Sequence, residues 1–137
     1  DTRNKIKKHA HSQIKQESEL RQWPIQLSLV QEQASYFDNA DLLIAADCVP
    51  FAYANFHQDF LKNRTLIIGC PKLDDIEFYK DKLVHIFKIN NIRSVSIAHM
   101  EVPCCFGLRQ IVEEAIKDSG RKIPIKTNII TIGGGKK

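Results

Sequence analysis

The sequence has 137 residues, 43% of them hydrophobic, with a formal net charge of +4, which is enough chain and apolar content for one domain with a real core. No apolar run approaches the roughly 20 residues that a bilayer span needs, and the polar start has no apolar signal region, so the expectation is a cytoplasmic protein with no membrane role. The positive excess crowds into Arg3, Lys5, Lys7, Lys8 and Lys15; without interleaved aromatics or a nucleic-acid motif it reads as a solvated tail, and no nucleic-acid partner is expected.

Residues 1–22 are polar, with Ile6, Ile14 and Leu20 too sparse for an apolar stripe, and read as a linker or marginal helix ended by Trp23-Pro24. Ile25-Gln26-Leu27-Ser28-Leu29 alternates as an edge strand does, and Ser35 to Asn39 reads as a turn or short helix. Asp41 to Ala46 is a continuous apolar run suited to a strand buried on both faces. Pro50 to Lys62 reads as a helix with Phe51, Phe56, Phe60 and Leu61 inward. Thr65 to Gly69 is a second buried strand. Asp74 to Asn90 reads as a helix whose start is favoured by Asp74 and Asp75. Arg93 to Ala98 is a third strand, Gly107 to Ser119 a helix stopped by Gly120, and Ile125 to Ile132 a last strand. Gly133 to Lys137 reads as a flexible tail. The domain therefore spans 23–132. Strand–helix alternation at this spacing predicts a three-layer α/β fold, a mainly parallel sheet of about four to five strands with helices on both faces.

The chain has four cysteines, and each falls just past a strand end: Cys48 after the first buried strand, Cys70 after the second, Cys104 and Cys105 after the third. Parallel strands share one C-terminal end, and ligands of open α/β sheets bind in the crevice outside it. Thiols far apart along the chain are therefore expected to converge. Without a secretory signal, clustered thiols suit ligands better than disulfides, and a Cys104–Cys105 bridge would be strained. Prolines at 50, 71 and 103 stiffen the loops, and nearby helix N-termini are expected to lower the thiol pKa values. Four thiolates suit zinc or an iron–sulfur cluster. An adjacent pair is awkward around one small ion and easier around a larger cluster. Taken singly, any of these cysteines could be a small core hydrophobe.

The segments RQWPIQL, LLIAADCVPFAYANFH, IIGCPKLDD and MEVPCCFGL resemble the C-terminal domain of ferredoxin-type (4Fe-4S) iron–sulfur proteins of anaerobes, over about residues 21–132. That resemblance implies an iron–sulfur cluster on Cys48, Cys70, Cys104 and Cys105, an electron-transport role, and a redox partner protein or a fused ferredoxin module preceding residues 1–20. Phe106 stands where glycine often follows the pair. A fainter similarity to the zinc site of β-type carbonic anhydrases matches Cys48 and Cys105, with Pro103 where those enzymes place a histidine and with the Asp-Arg pair missing. It implies a zinc-thiolate protein, structural or hydrolytic, as the alternative.

Asp47, His99 and Glu101 lie close enough in sequence to act around the thiols. Each also has a plain structural reading, as a turn residue, a strand-end histidine bonded to backbone, and a solvated loop carboxylate. His57 and His85 read as helix surface residues, and Lys72 as a loop residue near Cys70. No Ser-His-Asp set or phosphate loop is present, and no reaction is assigned. A homo-oligomer is compatible with this reading.

Overall fold

The computed structural model describes residues 16–137, so the first part of the expected linker lies outside the described residues. Its described end is tied to the domain. The Glu19 N–H donates to His57 Nδ1 at 3.0 Å, and the Gln22 side chain donates to the Leu66 carbonyl at 2.6 Å.

Four parallel strands form one sheet: β1 (Asp41–Ala46), β2 (Thr65–Gly69), β3 (Ser94–Met100) and β4 (Ile125–Ile130). Their order across the sheet is β2-β1-β3-β4. Among the described residues the α-helices are α1 (Val49–Ala52), α2 (Ile76–Ile89) and α3 (Pro103–Ser119). Buried runs make the central strands: Leu42 through Ala46, all aliphatic, and Val95 through Met100, which also buries Ser96 and His99. A fully buried Leu or Ile there stabilises the fold by about 1.5–3 kcal/mol. The right-handed crossover rule puts α2 and α3 on one face and α1 on the other, and α2 and α3 pack on each other. The expected α/β architecture is therefore present, with four strands.

Local sequence accounts for the helix ends. Asp75 caps α2, its carboxylate accepting from the N–H groups of Glu77 and Phe78 at 3.1 and 3.2 Å. Gly120 closes α3 in the left-handed conformation, at φ 76°, where a side chain would be strained.

Several elements depart from expectation. Residues 25–29 make no strand. Gln26 forms an isolated parallel bridge with Ile68, and the chain then turns through backbone bonds from Leu29 and Val30 to the Gln26 carbonyl. The helix expected over 50–62 is broken. Tyr53 is extended after α1, and the chain re-coils as a π-helical turn, His57–Leu61. The Tyr53 hydroxyl donates to Asp59 across this break at 2.5 Å. Phe56 and Phe60 still reach the core, but Phe51, expected inward, is 92% exposed. Helix α3 begins at Pro103, so the cysteine pair lies in its first turn. The glycine-rich end turns back on β4, where Lys136 bridges Ile130.

Candidate functional site

Strand order reverses at β1: the chain goes from β1 to β2 on one side and returns to β3 on the other. In open α/β sheets the C-terminal ends of the strands flanking such a reversal, here β1 and β3, are where ligands bind. Cys48 is the N-cap of α1, directly after β1, and Cys104 and Cys105 lie in the first turn of α3, directly after β3. Cys70 follows the last residue of β2, and β2 lies against β1 with Ala46 paired to Gly69. The loop after β2 also approaches α3: a Cβ on Gly107 would lie 3.8 Å from Pro71 Cβ. The cysteine-bearing loops thus meet at one rim, and all four thiols are free.

The thiols differ in exposure. Cys48 and Cys104 are exposed, Cys70 is half-buried, and Cys105 is buried. Burial pushes the Cys105 thiol pKa up. The Met100 backbone opposes this, while the adjacent Cys104 and the neighbouring Cys48 add to the rise. This corrects the expectation of lowered thiol pKa values for Cys105, because desolvation and like charges outweigh the helix N-terminus. It also places Cys48 and Cys104 within electrostatic reach of Cys105.

Around the thiols, Asp74 organises the loop after β2. Its carboxylate accepts from the Cys70 N–H at 2.9 Å and from the Tyr79 hydroxyl. That hydroxyl also lies 3.0 Å from the Gln26 side-chain amide, and its pKa is pushed up by burial and by Asp74. Neither Tyr79 nor Asp74 in this role was visible in the sequence, because both contacts depend on tertiary packing. The Asp47 N–H bonds the Gly69 carbonyl at 3.1 Å, and its carboxyl pKa is raised by burial and by the charge of Asp74. Its Oδ1 is buried without a partner, as is His99 Nε2. Glu101 is half-buried and its N–H joins the Ile130 carbonyl at 2.9 Å. His57 and His85 lie outside the rim, His57 accepting from Glu19 and His85 pairing with Glu32 at 2.7 Å. Lys72 is exposed.

The donor types suit a thiophilic metal centre. Among the described residues, however, no three Cys, His, Asp or Glu side chains stand close enough together to hold one ion. A cavity of about 370 Å³ with Arg21, Arg64 and Arg93 in its lining lies at the opposite, N-terminal end of the strands. No described helix is long and apolar enough to cross a membrane.

The parallel sheet with this strand order and its helices define an α/β fold, and a family model of the Rossmann-like domain matches residues 34–136. The chain belongs to that family. An uncharacterized protein of Archaeoglobus fulgidus is 29% identical over 116 residues, covering 85% of this chain and 81% of its own length. No solved structure matches. These findings correct the resemblances to a ferredoxin-type domain and to β-carbonic anhydrases: the matched family is the Rossmann-like domain, and nothing in the comparisons points to a 4Fe-4S protein family. Three of the four segments behind the ferredoxin-type resemblance surround cysteines at strand ends, which a parallel α/β fold gathers at one edge whatever its family, and the fourth, RQWPIQL, holds no cysteine and precedes β1.

Proposed function

We propose that this chain is a redox module that carries a metal–thiolate centre on Cys48, Cys70, Cys104 and Cys105 and exchanges electrons with a partner protein in a reducing, cytoplasmic compartment. What supports the reading is that three neighbouring strand ends each lead into a segment carrying free cysteine. An iron–sulfur cluster is favoured over a single zinc ion. The adjacent Cys104–Cys105 pair is awkward around one small ion and easier around a larger cluster.

Electron exchange needs a way for the partner to approach the centre. Each cysteine-bearing loop also presents one large apolar side chain to solvent: Phe51 after Cys48, Leu73 after Cys70, and Phe106 after the pair, at 92%, 80% and 48% exposure. Such exposed apolar side chains beside the cysteines would favour docking of another protein near the centre.

Anaerobic purification with iron, sulfide and zinc analysis and an absorbance spectrum tests the reading. Iron with sulfide and a visible charge-transfer band are expected. Zinc bound stoichiometrically and kept in air would replace the cluster by a zinc-thiolate site. A colourless protein that takes up no metal after reconstitution would end both versions.

A further inference from the structure

The N-terminal ends of β1, β2 and β3 border a cavity of about 370 Å³, within the roughly 300–1,000 Å³ range of small-molecule pockets. It lies at the other end of the strands from the cysteines, away from the edge where open α/β sheets hold ligands. Asp41 opens β1, Arg64 directly precedes β2 and Arg93 directly precedes β3. Parallel pairing brings the three together, and all of them line the cavity.

The charged groups of the lining are not equally engaged. Arg93 lays its Nε and Nη2 on the Asp41 carboxylate at 3.1 and 2.5 Å, and the Ser94 hydroxyl donates to the same carboxylate. Arg21 donates to the Ser18 and Leu20 carbonyls and stands 3.7 Å from Glu19. Arg64 donates from Nη1 to the Phe60 carbonyl at 2.7 Å. Among the described residues its Nε and Nη2, the edge that Arg93 uses, have no acceptor, and no carboxylate lies within ion-pair distance. It acts on Asp41 only through charge. Asp38 also lines the cavity without an ion pair, but it is exposed whereas Arg64 is half-buried. Water screens an exposed carboxylate well, so the half-buried guanidinium gains more from a partner.

The backbone marks the same place. Asn39 and Asn63 are the non-glycine residues with positive φ among the described residues, at 53° and 63°, and both line the cavity. Asparagine enters this left-handed region more readily than most side chains, and residues held there gather at ligand clamps. Each also carries an amide with two N–H donors.

We propose that this cavity binds a small molecule through a carboxylate or phosphate group held on the open edge of Arg64, with the Asn39 and Asn63 amides as further donors. The site is independent of the metal–thiolate reading. A guanidinium edge meets either group in a two-bond fork, and Arg93 on Asp41 shows the same fork within this chain. The Asp41 charge is already matched by Arg93, so it opposes an incoming anion less than a lone carboxylate would.

The test titrates the 15N-labelled chain with inorganic phosphate and, separately, with acetate, each replacing chloride at constant ionic strength. The expected result is a saturable shift of the Arg64 Nε–H resonance and of the Asn39 and Asn63 side-chain amides. Arg109, paired with Glu113 on α3, should stay in place. Saturation by phosphate alone identifies a phosphate-bearing ligand, and saturation by acetate a carboxylate-bearing one. Arg64→Gln should weaken the binding about tenfold or more, as loss of charge-assisted hydrogen bonds does. Shifts that never saturate, or that move Arg109 as much as Arg64, are general screening and overturn the proposal. So does unchanged binding in Arg64→Gln. If that variant does not fold, the Arg64 resonance of the unaltered chain decides.

Discussion

The Tyr79 ring occupies the space that a side chain at Gly69 would need: a Cβ there would stand 2.5 Å from Tyr79 Cε2. The contact links β2 to α2 just below Cys70, and the same tyrosine donates to the carboxylate that accepts from the Cys70 N–H. Gly69→Ala should therefore push the ring aside and lower stability by about 1–3 kcal/mol, as overpacking does. Urea unfolding checks this, and an unchanged midpoint would show that the ring gives way freely.

Removing only the hydroxyl isolates the polar half of the contact. Tyr79→Phe leaves the Asp74 carboxylate with the Cys70 N–H but without its phenol donor. The loss should be about 1.5–3 kcal/mol, the range of hydrogen bonds to charged groups. The chemical shift of the Cys70 amide should move as well. A stability equal to that of the unaltered chain, with that amide unmoved, would count against the role given to Asp74.

A pH-dependent pair lies at the other end of the strands. Hydrogen bonds from Arg93, at 2.5 and 3.1 Å, and from Ser94, at 2.6 Å, hold the Asp41 carboxyl below the ordinary value of 3.8. A folded pKa lowered in this way stabilises the protein above the unfolded pKa, and that stability is lost as pH falls through the folded value. Asp41→Asn should thus melt at a lower temperature than the unaltered chain at pH 7. The gap should narrow below about pH 4. Thermal unfolding across that range would contradict the account if the gap widened with acid.

Much of the fold was legible because continuous apolar runs such as Leu42 to Ala46 leave little choice but a buried parallel strand, and because Asp75 and Gly120 mark helix ends by local chemistry. The segment 25–29 misled because its alternation asks only that every second side chain be covered. A single bridge at Gln26 with Leu27 buried meets that demand, and Leu29 is left exposed. The helix over 50–62 misled because Phe56 and Phe60, four apart, fit a π-helical turn as well as a continuous α-helix. At the site, parallel topology alone brings the cysteine-bearing strand ends to one edge of the sheet. The burial of Cys105 against the exposure of Cys104, the orphaned His99 nitrogen and the Tyr79–Gly69 contact come from long-range packing, which leaves no local pattern in the sequence.

The apolar side chains at the rim give a prediction about partners. Phe51→Ser and Leu73→Ser remove exposed surface and nothing from the core, so circular dichroism and unfolding should hardly change. Electron exchange with a protein partner, followed by stopped flow, should slow by about tenfold or more if either residue is an interface hot spot. Equal rates in both variants would remove this surface from the docking reading.

The most direct measurement is an anomalous-scattering map of crystals of the metal-loaded chain, recorded at the absorption edge of the bound metal. The account predicts an anomalous peak at the carboxyl ends of β1, β2 and β3, with the sulfurs of Cys48, Cys70 and the vicinal pair turned toward it. A peak elsewhere on the molecule, or thiols left in their metal-free positions while metal is bound, would contradict it.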